Sequence, residues 1–184
     1  MKAAEYSALE RLRSGASLQV RAVQPGDRAG LLAAIARSSK ETLYRRFFAP
    51  KRSFSEREID FFLNVDFVGH VALSAVLEED GRNLLVGGAR YIVVQPGRAE
   101  IASWVDDPHQ KLGIATHLIR HLIVIARAAG LEQLIAEVLP ENVPMLKVFE
   151  RCGLAMTTRR ARGVVHVTLD LSSIAEGKEP PRRR

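Results

Sequence analysis

The sequence predicts one α+β domain, in which a mixed central sheet of about seven strands carries helices on both faces. Three features of the 184 residues predict it. Short apolar segments alternate with period two and are separated by turn residues, as at Pro96 and Gly97. Two segments late in the chain, 112–129 and 142–151, have the apolar spacing of helices. The first of them joins two strands, and such a helical crossover requires those strands to be parallel.

Composition and charge narrow the class of protein. A hydrophobic fraction of 47% and a charged fraction of 26% are typical of a globular domain. The single cysteine, Cys152, excludes an intrachain disulfide and a zinc ribbon, and the N-terminus has no apolar signal-peptide core. We therefore expect a cytoplasmic protein without a membrane segment. The net charge of +6 includes Arg182-Arg183-Arg184, and its scattered distribution favours a solvated surface over nucleic-acid binding.

The first elements follow from alternation and from capping residues. Residues 1–16 form an N-terminal extension, for which the sequence predicts a short helix that ends near Gly15. A strand follows at 17–23, where apolar side chains alternate. Asp27 is then predicted to be the N-cap of a helix over 28–38.

The later elements complete the domain. Residues 39–48 are helical or turn-like, and a capping box from Ser55 to Glu58 predicts a further helix. The domain occupies residues 17–171, and residues 172–184 form a basic tail whose composition predicts disorder. The remaining strands are predicted at 68–77, 84–94, 99–105, 133–139, 154–158 and 164–171.

The segment between the strand at 99–105 and the helix at 112–129 carries the most chemical information. The first N–H groups of a helix have no partner within it and lie at the positive end of its dipole, so they attract anions. Gly113 and Ala115 have almost no side chain and let an anion approach the backbone. Neither a Walker nor a Rossmann motif is present. The residues alone predict an anion site or, as the alternative, an ordinary strand-to-helix loop.

The loop also carries a resemblance to a known family. Gln110-Lys111-Leu112-Gly113-Ile114-Ala115 matches Q/R-x-x-G-x-G/A, with Lys111 in place of a usual glycine, and resembles the acetyl-CoA pyrophosphate loop of the GNAT superfamily of N-acetyltransferases. The resemblance covers about residues 17–171 and implies the GNAT fold, in which the parallel fourth and fifth strands splay apart to admit the cofactor. It implies that acetyl-CoA contacts Trp104, Val105, Gln110, Lys111, Leu112, Gly113, Ile114, Ala115 and Thr116.

A second element resembles the same family. Asn142 and Met145 open the last helix and match its N-x-x-(A/M) element, which implies that both contact the cofactor, Asn142 at the pantetheine arm. A plain helix N-cap is the alternative for Asn142, and the two roles are compatible. Three segments, 41–48, 98–102 and 137–146, are similar to the E-S-x-Y-x-R-F-F, A-E-x-A and V-L-x-x-N-x-x-M-L elements of Pat-type protein lysine acetyltransferases.

In the Pat-type enzymes the strand glutamate is the proposed general base, and the resemblance assigns that role to Glu100. The chemistry supports the assignment independently, because a lysine amine with a pKa near ~10.4 must lose a proton before it attacks, and a carboxylate near the thioester can take it. The alternative is a carboxylate at a strand end that pairs with Arg98 or Arg90. The Val105 N–H is a candidate to polarise the thioester carbonyl.

The histidines carry weaker signals. His117 and His121 share a helix face, but no acidic or cysteine partner is near them in the sequence, so we expect no metal site. His109 lies in the loop, where a surface histidine is the favoured interpretation over a phosphate contact.

Together these features predict an acetyl-CoA-dependent N-acetyltransferase that moves an acetyl group to a primary amine by direct attack. A protein lysine is the favoured acceptor, and a small amine is the alternative. Phe149 stands where many family members have a tyrosine that protonates the leaving thiolate, so Tyr44, Tyr91 or solvent is left as the proton donor. Phe149 also leaves open a non-catalytic acyl-CoA-binding or sensing module of the same fold. A homodimer is compatible with the sequence.

Overall fold

The computed structural model describes residues 1–51, 53–79 and 81–173, and within them eight strands form one mixed sheet. The predicted α+β class is confirmed, with eight strands rather than about seven. The predicted tail disorder over residues 174–184 lies outside the described residues. The strands are β1 (Ser7–Arg11), β2 (Ser17–Ala22), β3 (His70–Glu79), β4 (Arg82–Gln95), β5 (Arg98–Val105), β6 (Gln133–Val138), β7 (Ala155–Ala161) and β8 (Val164–Asp170).

The strands lie side by side in the order β1-β2-β3-β4-β5-β6-β8-β7. Every neighbouring pair is antiparallel except β5 and β6, which the crossover through the fourth helix makes parallel. No described helix is long and apolar enough to cross a membrane. The helices are α1 (Arg28–Ala36), α2 (Lys40–Phe47), α3 (Glu56–Leu63), α4 (Ile114–Ala128) and α5 (Val143–Glu150).

The eighth strand comes from the N-terminal extension, where the expected short helix is wrong. Residues Ser7–Arg11 pair with β2, and only a 3-10 turn at Ala3–Glu5 precedes them. An isolated short helix is marginal in water, whereas pairing with β2 satisfies backbone groups that would otherwise form a bare sheet edge. Ala8 and Glu10 alternate with exposed neighbours and turn inward.

Asp27 occupies the N-cap position of α1, as predicted, but its side chain does not cap that helix. The carboxylate is almost fully buried and instead closes a capping box with Gln24 around the 3-10 turn Pro25–Asp27. It accepts hydrogen bonds from Arg21 (2.5 and 2.9 Å), from the Gln24 N–H (3.0 Å) and from the Ser74 hydroxyl (2.9 Å). Burial acts to raise the pKa of Asp27, but these bonds lower it overall. A buried carboxylate needs such hydrogen-bond partners. Here β2, β3 and the turn between β2 and α1 supply them, so the carboxylate does not bind the N–H groups of α1.

The predicted splay of the two parallel strands is confirmed, and β1 makes them the fifth and sixth strands. They pair over only three positions, and the last pair joins Glu100 to Ile135. Beyond it, β5 continues to Val105 with β4 as its neighbour, while β6 continues to Val138 with β8 as its neighbour. A gap therefore opens between β5 and β6 immediately after Glu100.

The two faces of the sheet are covered differently. On one face α4 buries an apolar stripe against the strands; its members are Ile114, Leu118, Leu122 and Ile125. On the other face α1 and α3 pack over the first half of the sheet in a smaller cluster around Ile59 and Ala72. The second half of that face, formed by β5, β6, β8 and β7, holds an open cleft of about 400 Å³. The gap and the cleft meet at Glu100.

Candidate active site

The loop between β5 and α4 presents a run of free backbone amides. Lys111 (φ 65°) and Gly113 (φ 90°) adopt left-handed conformations, and α4 begins directly after Gly113. Such alternation of backbone conformation turns successive N–H groups toward one concave surface that suits an anion. Within the described residues, the N–H groups from Lys111 to Thr116 donate to no protein acceptor. The loop thus has the geometry of an anion site at the positive end of the α4 dipole.

Gln110 was predicted to contact the cofactor, but its backbone N–H and its side-chain amide are already hydrogen-bonded within the protein. Its own N–H donates to the Asp107 carbonyl (3.3 Å), and its side-chain amide donates to the Val105 carbonyl (3.1 Å) and to the Thr42 hydroxyl (3.0 Å). These bonds fasten the loop to the end of β5 and to α2. The amides open to an anion are therefore Lys111 to Thr116, and Gln110 holds the loop in shape.

A buried ionic network anchors the start of the loop, and it shows that the surface interpretation of His109 is wrong. The Asp106 carboxylate is fully buried and accepts hydrogen bonds from Arg37 Nε and from His109 Nδ1, each at 2.6 Å. His109 is itself only 6% exposed. Because a buried carboxylate must be paired, the 3-10 turn at Asp107–His109 folds the imidazole inward. In the sequence, this contact corresponds to the spacing Asp-x-x-His, in which His109 follows Asp106 by three positions.

The unpaired edge of β5 supplies further backbone donors. The Asp106 N–H donates to the Val86 carbonyl of β4 at 2.9 Å. Since N–H groups of an extended chain alternate in direction, those of Val105 and Ser103 point away from β4, and both lie beyond the last pair of β5 with β6, so they face the gap. The sequence singled out Val105 alone, and the period-two alternation adds Ser103. The Trp104 N–H faces β4, and its indole packs against the cluster of α1 and α3.

Glu100 lies at the closed end of the gap, with its exposed side chain in the cleft. The alternative, an ion pair with Arg98 or Arg90, is not what the structure shows. Arg90 instead contacts His70 (3.0 Å) and backbone carbonyls of α3, and Arg98 Nε has no hydrogen-bond partner among the described residues. A second carboxylate, Glu137 on β6, lines the same cleft. The cleft thus has two acidic groups that face solvent.

Arg46 is the site residue to which the sequence gave no role. Burial lowers the pKa of Arg46 to about 10, although the nearby Glu100 carboxylate acts to raise it. Its Nε is buried without a hydrogen-bond partner among the described residues. The neighbouring Phe47 packs edge-on against Phe54, with ring centroids 5.1 Å apart, and so holds the end of α2 in place. The 41–48 element therefore places a cation beside the candidate base.

The α5 helix and the core beside it bear on the roles predicted for Asn142, Tyr91 and Cys152. Asn142 is the N-cap of α5 and accepts a hydrogen bond from the Met145 N–H at 3.3 Å, so the capping role is present. Phe149 is buried in the main core, as is Tyr91, which places the Tyr91 hydroxyl away from the cleft. Burial raises the pKa of Cys152 to about 11, which disfavours the thiolate needed for an acyl-cysteine intermediate.

A splayed α+β sheet with free amides at the start of the following helix is the arrangement expected of an acyltransferase domain that binds an acyl-CoA. The model of the Acetyltransferase (GNAT) family matches residues 37–154, and the chain belongs to this family. Members of the family use acetyl-CoA.

Three relatives refine the position of the chain within the family. It is 32% identical over 167 residues to Acetyltransferase Pat of Mycolicibacterium smegmatis, covering 89% of this chain and 48% of that protein. It is 32% identical over 127 residues to Acetyltransferase PA5475 of Pseudomonas aeruginosa, covering 68% of each. The crystal structure of the GNAT domain of S. lividans PAT superposes with a TM-score of 0.80 and 33% identity, covering 89% of this chain and 96% of that one. The chain thus spans about half the length of the M. smegmatis protein.

Proposed function

We propose that this chain is an acetyl-CoA-dependent N-acetyltransferase that transfers the acetyl group to a primary amine, with a protein lysine as the acceptor. The observation that carries the proposal is the position of Glu100. It lies where the gap of the splayed strands meets an open cleft, and the free amides of Lys111 to Thr116 lie beyond the other end of the same strand. One strand thereby connects an anion site to a base.

In this proposal the cofactor extends along β5. The pyrophosphate binds the amides of Lys111 to Thr116, and the pantetheine arm enters the gap as an added strand against the free edge of β5. Asn142 and Met145 at the start of α5 contact the arm from the other side. The cofactor then lies between α4 and α5, and its thioester points toward Glu100.

The distances along β5 favour a donor other than Val105 for the thioester carbonyl. At about 3.3 Å per residue, Val105 is about 16 Å from Glu100 and Ser103 is about 10 Å away. A single amine nitrogen must reach both the carbonyl carbon and the base, directly or through one water. The Ser103 N–H therefore polarises the carbonyl, and Val105 holds the pantetheine arm.

The chemistry then needs no covalent enzyme intermediate. Glu100 takes a proton from the ammonium, and the neutral amine attacks the thioester carbonyl carbon. A C–N bond forms and the C–S bond breaks. The nitrogen, which carries a positive charge after the attack, releases its second proton to solvent, and the amide and the CoA thiolate are the products. Solvent protonates the thiolate, because Phe149 has no proton to donate and is buried.

The shape of the cleft supports an exposed amine on a large acceptor. The cleft is a surface of β-strands that is open to solvent, rather than an enclosed pocket. Glu100 and Glu137 offer carboxylates to a cationic side chain, Arg98 and Arg159 line the same cleft, and a lysine on a protein surface can lie across it. The resemblance of residues 41–48 and 98–102 to Pat-type enzymes favours the same acceptor.

The test measures CoA thiol release from acetyl-CoA with lysine-containing proteins and peptides. Glu100→Gln should lower kcat by about 10²- to 10⁴-fold, the usual contribution of a general base, and leave the Kd for acetyl-CoA unchanged. Glu137→Gln is the matched control, since it neutralises a carboxylate of the same cleft. It should raise the KM for the acceptor and leave kcat within about twofold. Equal losses of kcat in the two variants would assign Glu100 a charge effect rather than proton transfer.

A second candidate is a non-catalytic acyl-CoA-binding module, which Phe149 favours because no core tyrosine can protonate the thiolate. The two functions differ in turnover. Tight binding of acetyl-CoA without thiol release, on a panel of protein lysines, amino acids and polyamines, would support the binding module. Turnover on small amines alone would identify a small-amine acetyltransferase.

A further inference from the structure

A cluster of two histidines and a carboxylate lies outside the candidate active site. His117 and His121 are one turn apart on α4, and Glu10 faces them from β1. Glu10 lies 3.3 Å from His117 Nδ1 and 3.0 Å from His121 Nε2, through its two carboxylate oxygens. The expectation that these histidines have no acidic partner nearby is therefore wrong. The partner comes from a strand that is 111 residues away from His121 in the chain.

The cluster has the size of a metal site. One potential ligand atom from each of the three residues lies within 4.8 Å of the others. A Zn²⁺ ion with ligands at about 2.1 Å in tetrahedral geometry requires ligand atoms about 3.4 Å apart. The two distances from Glu10 are close to that value but run to different oxygens, Oε2 for His117 and Oε1 for His121, so the carboxylate and the imidazoles must rotate to bring one atom of each residue around the ion. Two histidines and one glutamate are a known donor set for zinc with an open fourth position.

An outer contact orients one histidine as a metal site requires. The Tyr6 hydroxyl lies 2.5 Å from His121 Nδ1, and the two rings meet edge to face. When Nε2 of His121 binds a metal, Nδ1 carries the proton and can donate it to the Tyr6 oxygen. Metal-binding histidines are usually held in this way through their second nitrogen.

We propose that Glu10, His117 and His121 bind one Zn²⁺ ion, with water as the fourth ligand. The ion clamps β1 onto α4 and so secures the edge of the sheet. The site lies on the α4 face, whereas Glu100 lies on the opposite face, so the ion has a structural role and takes no part in acetyl transfer. The inward carboxylate on an edge strand, which packing alone does not explain, is then a ligand.

The test uses the full chain, purified without a histidine tag and stripped with a chelator. Equilibrium dialysis against ZnCl₂ and mass-spectrometric metal analysis should give one Zn²⁺ per chain. Co²⁺ in its place should give the intense visible absorption of a four-coordinate site. Zn²⁺ at 100 times its Kd should raise the Tm by about 5–10 °C, because the ion binds only the folded chain.

Variants separate the site from ordinary ion pairs. His117→Ala and Glu10→Gln should each weaken Zn²⁺ binding at least tenfold and remove the shift in Tm. Tyr6→Phe keeps the ring and should weaken binding about 10- to 100-fold, as loss of an outer partner does. His166→Ala is the control, since that histidine also faces a glutamate at 3.4 Å but should leave binding unchanged. A metal content near zero in the wild-type chain would overturn the proposal, and so would equal zinc binding by wild type and His117→Ala.

Discussion

Gly113 offers the sharpest test of the anion site, because its substitution separates backbone strain from cofactor binding. Its φ of 90° is unfavourable for any residue with a Cβ, and an added Cβ would meet no atom within 4 Å. Gly113→Ala should therefore cost only the left-handed strain, about 1–2 kcal/mol, which lowers the Tm by about 2–8 °C. The same methyl group would occupy the space through which a pyrophosphate approaches the amides, so the KM for acetyl-CoA should rise at least tenfold.

Gly130, at the other end of α4, is the matched control. It has a φ of 75°, and its added Cβ would likewise meet nothing within 4 Å. At about 1.5 Å per residue it lies about 25 Å from Gly113. Thermal unfolding should show similar losses for the two alanine variants, whereas thiol-release kinetics should show a raised KM for Gly113→Ala alone. An unchanged KM for Gly113→Ala would refute the assignment of these amides to the pyrophosphate.

Three further outcomes are expected. Asp106→Ala should lower the free energy of unfolding by about 2–4 kcal/mol in urea titrations, because it leaves the Arg37 guanidinium and the buried His109 imidazole without the acceptor they share, and a loss below about 1 kcal/mol would contradict the network. Asn142→Ala and Ser55→Ala should each cost about 1 kcal/mol as lost N-caps, but only Asn142→Ala should raise the KM for acetyl-CoA; equal KM values would limit Asn142 to capping. Burial lowers the pKa of His70 from 6.5 to about 4, so the unfolded chain binds a proton that the folded chain does not, and stability falls as the pH drops from about 6.5 to 4. His70→Gln should remove about 1–2 kcal/mol of that decline between pH 7 and pH 4.5 in urea titrations, and an identical pH dependence would argue against a buried neutral imidazole.

Much of the fold was predictable from local signals. The crossover at α4 required parallel neighbours, and the capping box at Ser55 placed the start of α3. The failures occurred where a distant strand decides the local structure. Residues Ser7–Arg11 are too few for a periodic signal, and their pairing with β2 is a tertiary event. Asp27 stands directly before a helix, in the N-cap position, but its carboxylate accepts hydrogen bonds from Arg21 and Ser74 instead of capping the helix.

The candidate site, like the fold, combines features that the local sequence predicts with contacts that only the structure shows. The amides of the loop were predictable, because free N–H groups at a helix start and the need for glycine at a positive φ are properties of the local chain. The bond from Gln110 to Thr42 was not predictable, since it spans 68 residues. The same limit applied to Glu10, which is distant in sequence from the histidines it contacts. Side chains that belong to one element could be read from the sequence, whereas contacts between elements required the structure.

In the proposed function, one strand serves an anionic cofactor at one end and a cationic acceptor at the other. The loop after Val105 presents free N–H groups and Lys111, so this end attracts the anionic cofactor. The cleft at the other end presents Glu100 and Glu137, but Arg98 and Arg159 line it as well, so an amine would be held there by individual carboxylates and not by an overall negative charge. In the proposed function the two reacting groups meet in the gap between, and the thioester binds near the Glu100 carboxylate. Arg46 lies close to Glu100 and provides a cation beside it.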